Sequence, residues 1–578
     1  MLSFKEKRVT GLGRLLKDAT NHVTFLEMMR KRVAFLIFSG LFLFLIALFR
    51  LASLMLFQNT IVSENNFDAS ENKHIPRADI IDRNGNVIAT HIVTASLYAN
   101  PKILIDPQNT AKQLNKIFPQ LSYKSLLQKL SNTSKSFIWI ARHIPPKTQH
   151  EINLIGQPGL VLQKDHKRMY PYGKLFSHVV GYSGLDNDGL AGVEKKFDKH
   201  LKTSATPLKL SLDLRIQASI AELVSQAIAF YQAKAGNAIV MNIKTGEVLG
   251  MVSLPVFDPH NINDAKVEEL FHINTLGVYE PGSTWKILNT AIALETGLSN
   301  PNSHYDARHP IKIGRFTITD FKGKNRFLNL TEAFVYSSNI AAVKVAQQFG
   351  SKIQQEYFRK FGVFKPSNIE VPEMAMPLLP KSWKESTLMS ASYGYGISLS
   401  PLHAATIIGT LINNGEKVQP TLIYNSKQNI GANSEHPVIS KKTSATIREM
   451  MRATTLYGGS RKANIQGYSV FAKTGTAYTS VGKKYNGKDR FNSCIAGFPF
   501  HNPRYLVYVG LHSPKALPET YFYNAAGWNA APTAGKIIER IAPVLNVQPD
   551  DTPTTFKNVS WLDESVDVPQ STVLTNGQ

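Results

Sequence analysis

The 578-residue chain has one cysteine, Cys494. A single thiol excludes an intrachain disulfide framework and zinc sites built on cysteine pairs; its setting in "FNSCIAGF" marks it as a small core residue. The 16 histidines show no H-E-x-x-H or other paired-ligand spacing, so no metal site is expected. Acidic residues are in deficit, 42 Asp plus Glu against 65 Lys plus Arg, and the net charge of +23 suits anionic neighbours such as membrane head groups, an acidic polymer or nucleic acid. Glycine is missing where nucleotide chemistry would need it. The stretch "GYSVFAKT", residues 467–474, nearly fits G-x-x-x-x-G-K-[ST], but Ala472 replaces the second glycine and the surroundings read as strand on both sides, which excludes a phosphate loop. Gly11-x-Gly13 carries no functional weight, and there are no internal repeats.

Long apolar runs are scarce too, with one exception. Residues 33–49, "VAFLIFSGLFLFLIALF", are uncharged and cover roughly 26 Å as a helix. Extension through Arg50, which can snorkel, to Phe57 completes a membrane span. Eight Lys or Arg against three acids precede it, and one lysine against three acids follows in 58–75, which predicts a cytoplasmic N-terminus with the bulk of the chain outside. The long basic lead and the lack of an A-x-A site favour a permanent anchor over a cleaved signal peptide. That location argues against nucleic acid as the partner of the basic surface.

The rest of the chain exceeds what one hydrophobic core supports. Residues 58–205 mix short strand-like runs with turn signals, as in "ADIIDRNGNVIATHIV", where Asn84-Gly85 suits a tight hairpin. This predicts a strand-rich, elongated pedestal. Its Arg77, Asp82, Arg142 and Glu194 are either partner contacts or salt bridges. From 206 the pattern changes. A helix in "LRIQASIAELVSQAIAFYQ" precedes two strands joined at Thr245-Gly246. A long helical middle, three strands and a closing helix in "APTAGKIIERIAPVL" follow. This order implies an α+β domain over 206–546, an antiparallel sheet with terminal helices on one face and the insert on the other. Residues 1–32 are expected to be a cytoplasmic tail, 33–57 the span, and 547–578, rich in Pro, Thr, Ser and Asp, a flexible tail.

Three polar motifs stand out. In "YEPGSTWKILNTAIALETG", Ser283 and Lys286 open an apolar-periodic helix, and positions i and i+3 share a face, so the ammonium can reach the hydroxyl. Serine is also a favoured helix cap, which is the blander reading. Ser337-Ser338-Asn339 lies between two helical segments, where it could be a second cap. Lys473-Thr474-Gly475-Thr476 lies on a strand whose alternation sends Lys473 and Gly475 to one side and Thr474 and Thr476 to the other. An edge lysine there would also deter aggregation.

Ser-x-x-Lys, Ser-x-Asn and Lys-Thr-Gly in this order form the joint signature of serine penicillin-binding proteins and related β-lactamases. Residues 77 to about 540 resemble a class B penicillin-binding protein, a monofunctional peptidoglycan D,D-transpeptidase. Supporting stretches are "RADIIDRNGNVIA", "RMYPYGKLFSHVVGYSG", "GLAGVEKKFD", "GEVLGMVSLPVFDP", "YGYGISLSPLH" and "GFPFHNPRYLVYV". "SLYANPK" and the short N-terminal tail are most similar to the septal, cell-division type, with the elongation type as competitor. Departures are His403 for the usual glutamine, Phe471-Ala472 where Ala-Gly is common, and Cys494 where serine is frequent; they bear on fine specificity.

The resemblance implies a penicillin-binding fold with a five-stranded antiparallel sheet flanked by helices. It implies a bacterial inner-membrane protein, N-terminus inside and catalytic domain outside, with no cofactor. Ser283 would attack the penultimate D-Ala carbonyl of a stem peptide, and a neighbouring stem-peptide amine would take the acyl group. Lys286 would be the base. A free lysine at pH 7 makes that cost roughly 4.6 kcal/mol, so burial and the charge of Lys473 must lower its pKa. Ser337 would relay a proton, Asn339 hold the peptide amide or Lys286, and Thr474, Gly475 and Thr476 bind substrate, with backbone N–H groups of Ser283 and Thr476 as the oxyanion hole. β-Lactams are expected to acylate Ser283. A SEDS-type glycan polymerase and other divisome membrane proteins are the expected partners. A D,D-carboxypeptidase or β-lactamase shares these motifs, and a non-catalytic sensor or scaffold would keep the fold without turnover.

Overall fold

A computed structural model describes residues 34–49, 76–314, 316–424, 436–481 and 484–550, with Arg30 and residues 552, 554, 556 and 557. The chain divides into two compact units, 1–75 and 76–578. In the first, residues 34–49 are helical and their large apolar side chains are exposed. Among the described residues no helix is long and apolar enough to cross a membrane. Residues 50–57 of the expected span, most of the N-terminal tail and most of the C-terminal tail lie outside the described residues.

The second unit opens with strand β1 (Ile80–Ile81), which turns through Asn84-Gly85 into β2 (Val87–Ala99). Gly85 takes φ +92°, and the Asp82 carboxylate accepts the N–H groups of Asn84 and Asn86 at 2.8 and 2.8 Å, which makes the turn. Helices α1 (Pro107–Ile117) and α2 (Tyr123–Leu130), strand β3 (Ile138–Ile144), helix α3 (Pro146–Asn153) and strand β4 (Leu160–Met169) follow. β2 pairs antiparallel with both β3 and β4, and Leu97, Leu114, Leu126, Leu130 and Ile140 close a separate small core.

Three of the four polar residues singled out between 58 and 205 are held in ion pairs. Arg77, wholly buried, meets Glu194 at 2.5 Å and Asp198 at 2.7 Å, and Arg168 holds the other oxygen of Glu194 at 2.7 Å. Arg142 pairs with Asp165 and Asp186 at 3.2 and 2.7 Å. The fourth, Asp82, serves its turn. β1 then pairs in parallel with β5 (Leu208–Lys209), which leads into helix α4 (Leu214–Phe230). Residues 82–84 are fastened to the start of that helix: Asp82 Oδ2 accepts from Leu214 N at 3.1 Å, Asn84 Nδ2 donates to Asp213 Oδ2 at 3.0 Å, and Arg83 N donates to Leu212 O at 2.9 Å.

Strands β6 (Ala235–Asn242) and β7 (Val248–Leu254) form the predicted hairpin, with Gly246 at φ +76°. The insert supplies two small ribbons, β8 (His304–Asp306) with β11 (Phe327–Asn329), and β9 (Ile311–Ile313) with β10 (Phe316–Ile318). It also supplies helices α5 (Lys286–Glu295), α6 (Leu330–Val335), α7 (Asn339–Lys360), α8 (Glu385–Ser392), α9 (Pro401–Ile412) and α10 (Lys441–Tyr457). Strands β12 (Phe471–Val481), β13 (Lys484–Phe498), β14 (Tyr505–His512) and helix α11 (Ala530–Ile541) complete the domain.

The main sheet has the order β12-β13-β14-β6-β7, all antiparallel. Its two faces follow from strand alternation. Ala238 and Val240 pack with Ile216, Ile220 and Val224 of α4 and Ile537 and Ile538 of α11, whereas Ile239 and Met241 pack toward Leu288, Ile407 and Ile408 of the insert. Terminal helices on one face and the insert on the other is the arrangement expected. It also leaves β12 at the sheet edge, facing the insert.

Candidate active site

The Ser283 loop is built by close backbone approach. Gly282, at φ +54°, lies so near Thr476 of β12 that a Cβ there would meet the Thr476 carbonyl oxygen at 3.0 Å. A Cβ on Gly475 would meet Pro281 O at 2.5 Å. Glycine at both positions lets strand and loop touch main chain to main chain. Gly282 N also donates to Gly394 O at 3.1 Å. Ser283 sits, half-buried, in a 3-10 turn, Gly282–Trp285, that runs straight into α5. It caps neither segment, so the cap reading fails. Gly297 at φ +72° follows the end of α5, as its stop signal requires.

Lys286 is 2% exposed and its ammonium is fully engaged: Nζ donates to Ser337 O at 2.5 Å, Asn339 Oδ1 at 2.7 Å and Ser337 Oγ at 3.2 Å. Lys473, 1% exposed, donates from β12 to the same Ser337 Oγ at 2.9 Å. Two lysines from distant parts of the chain therefore share one hydroxyl. Among the described residues, no hydrogen bond joins Lys286 to Ser283, although their spacing allows one. The three acceptors within reach of Lys286 Nζ all lie on the 337–339 turn. That turn is strained: Ser337 takes φ +58°, a left-handed conformation that costs a serine free energy and is typical of functional sites. Ser338 is the true cap of α7, its hydroxyl accepting from Ala341 N at 3.0 Å.

Burial pushes the Lys286 pKa well below the ordinary lysine value, and the charge of Lys473 adds to the effect while Asp320 opposes it. Burial alone brings Lys473 down to about 7. Asp320 has no signature in the sequence pattern. One of its oxygens accepts from Asn339 N at 2.5 Å and Ile340 N at 3.1 Å, the other from Ser338 Oγ at 2.7 Å. It thus fastens the whole Ser337-Asn339 turn. The amide of Asn339 is spoken for at both ends, by Lys286 and by Thr319 O at 2.8 Å, which favours holding Lys286 over binding a peptide.

Lys473 and Gly475 are buried and Thr474 and Thr476 are half-exposed, the alternation expected. The Thr476 hydroxyl accepts from Ala526 N at 3.0 Å and keeps its own hydrogen to donate. Tyr395 OH donates to Thr476 O at 3.5 Å. The C=O and N–H of one residue point the same way in an antiparallel strand, so the Thr476 N–H is turned outward with its C=O, toward the Ser283 loop. The sequence departures have structural counterparts. Phe471 lies opposite Gly497, where a Cβ would strike its ring at 2.3 Å, so glycine makes room for the larger side chain. Cys494 is fully buried against the helical face, and His403 is buried with Nε2 donating to Gly362 O at 3.1 Å.

Burying two lysines around one hydroxyl costs folding free energy, and perturbed buried groups of this kind cluster at functional sites. Set on a five-stranded antiparallel sheet between helical layers, this defines the penicillin-binding and β-lactamase-like class. The chain belongs to the penicillin-binding protein transpeptidase family, whose transpeptidase-domain model matches residues 236–539; the penicillin-binding protein dimerisation domain matches 73–215. It is 34% identical over 495 residues to the probable peptidoglycan D,D-transpeptidase FtsI of Caulobacter vibrioides, covering 83% of each chain. It is 28% identical to the peptidoglycan D,D-transpeptidase FtsI of Escherichia coli, covering 83% of this chain and 86% of that one. A solved peptidoglycan synthetase from Bifidobacterium adolescentis shares the fold, with a TM-score of 0.65 at 19% identity over 84% of this chain and 98% of that one.

Proposed function

We propose that the chain is a membrane-anchored peptidoglycan D,D-transpeptidase that crosslinks stem peptides at the division septum through an acyl-enzyme on Ser283. The observation that supports this most is the Ser337 hydroxyl shared by Lys286 and Lys473 beside the Ser283 loop. Neutral Lys286 takes the Ser283 proton as Oγ attacks the D-Ala carbonyl. The Ser283 and Thr476 N–H groups receive the oxyanion. The proton passes by way of Ser337 Oγ to the departing D-Ala amine, and Thr474, Thr476 and charged Lys473 hold its carboxylate. The acceptor amine of a second stem peptide then reverses these steps. No step calls for a metal or organic cofactor.

The septal role rests on the FtsI name of the relatives and on "SLYANPK". The anchor over 33–57, pedestal over 58–205, catalytic domain over 206–546 and tail over 547–578 follow from sequence pattern. So does docking of a SEDS-type polymerase and other divisome proteins on span and pedestal. The test is to label the full chain with fluorescent penicillin, map the adduct and follow its lifetime. A stable adduct at Ser283, absent in Ser283→Ala, together with loss of crosslinked muropeptides in that variant, is expected. Rapid release would indicate a lactamase, free unlinked product a carboxypeptidase, and no adduct a scaffold.

A further inference from the structure

β12 is an edge strand, and an edge strand presents main-chain groups that want a partner. Thr476 C=O and Tyr478 N–H, two residues apart, face the same side of the strand. Both are occupied by a single side-chain atom: Tyr395 Oη donates to Thr476 O at 3.5 Å and accepts the Tyr478 N–H. One hydroxyl thereby does what the peptide group of a neighbouring strand would do. Burial and the nearby Glu280 carboxylate raise the Tyr395 phenol to about 12, so the hydroxyl keeps its hydrogen near neutrality.

The turn that carries Tyr395 is tied to the nucleophile loop. Glu280 accepts Gly396 N at 2.7 Å, and Gly394 lies so close to Gly282 that a Cβ would meet Gly282 O at 2.1 Å. The Gly282-to-Gly394 hydrogen bond closes the unit. The ring is therefore aimed by rigid neighbours, while its bond to Thr476 O is long and weak, a combination suited to a group that must be displaced.

We propose that Tyr395 is a specificity-determining residue that guards the β12 edge: its hydroxyl stands in for the backbone of the acyl donor and is displaced when a peptide lies antiparallel along Thr476–Tyr478. This rests on the functional reading above. Ligands with a backbone-like N–H beside the reactive carbonyl must compete with Tyr395 for Thr476 O, and ligands without one need not. The guard thus taxes peptide-like ligands selectively.

The test compares Ser283 acylation rates of the full chain and its Tyr395→Phe variant with two β-lactams, a penicillin bearing an acylamino N–H and a carbapenem lacking it. The penicillin-to-carbapenem rate ratio is expected to rise roughly three- to ten-fold in the variant, the factor that corresponds to one net hydrogen bond. An unchanged or lower ratio overturns the proposal, because loss of scaffolding alone would slow both ligands together. Should Tyr395→Phe not fold, crystal adducts of the wild type decide. The Tyr395 hydroxyl should have left Thr476 O in the penicillin adduct, and its retention there overturns the proposal. If neither ligand labels wild-type Ser283, the functional reading itself fails, an outcome distinct from labelling with an unaltered ratio.

Discussion

Replacing Lys473 by methionine should move the pH dependence of acylation, and the direction follows from geometry. Lys473 and Lys286 approach the same Ser337 Oγ at 2.9 and 3.2 Å. Their nitrogens are therefore within about 6 Å, where unit charges repel by about 3 kcal/mol at an effective dielectric near 20. That repulsion adds to burial in holding the Lys286 pKa down. With Lys473 at about 7, the repulsion is present below neutrality and fades above it. In the wild type a depressed Lys286 pKa makes the neutral base available at lower pH. In Lys473→Met that pKa rises, so the acid limb of the rate profile shifts to higher pH. The assay is the second-order rate of Ser283 labelling by fluorescent penicillin across about pH 5 to 9. The plateau should fall as well, because the carboxylate loses its cation, but limb position is the diagnostic. A limb that stays put or moves to lower pH would refute electrostatic coupling of the two lysines.

Asp320→Asn should act with the opposite sign, moving the acid limb down because the carboxylate favours charged Lys286; melting should also show about 1–2 kcal/mol lost from the α7 cap. Gly475→Ala would place a methyl 2.5 Å from Pro281 O and 2.9 Å from Ser493 Oγ, so β12 must retreat from the Ser283 loop. Overpacking of this kind costs about 1–3 kcal/mol, and labelling should slow about ten-fold or more with circular dichroism unchanged; a wild-type rate would contradict the packing. Acid should destabilise the fold through His178 and His403, both buried and lowered from 6.5 to about 4. The unfolded chain takes up these protons below 6.5 and the folded chain does not, so stability present above 6.5 is lost toward pH 4, by at most about 3 kcal/mol per histidine. Melting at pH 7 and 5 measures this, and His403→Gln should flatten the slope.

The motifs were legible because each opens or edges an element. Ser283 lies in the 3-10 turn that leads into α5 and Lys286 opens that helix, Ser337 and Ser338 fill the turn before α7 and Asn339 opens it, and Lys473 through Thr476 lie on a strand whose alternation is visible in its neighbours. The terminal helices and hairpins carried equally local signals, an apolar period and a glycine at the turn. Asp320 was not legible. It is one acid in the loop stretch "TDFKGKNRF", and its role exists only through contacts to residues 18 to 20 positions away. Tyr395 was visible as part of "YGYGISLSPLH", but nothing local says that its hydroxyl ends on Thr476, 81 residues on. The spacing of Ser283 and Lys286 promised a direct contact; tertiary acceptors on the 337–339 turn took the ammonium instead, a competition that one helix cannot disclose.

The parallel pairing of β1 with β5, and the fastening of residues 82–84 to the first turn of α4, have a mechanical consequence. A tug on the chain at Pro76 would reach α4 within one hairpin turn, with no slack to draw out first. Parallel strands pulled along their length share the strain across all their bonds in shear, so force arriving at Pro76 would be delivered to the helix that backs β6 and β7.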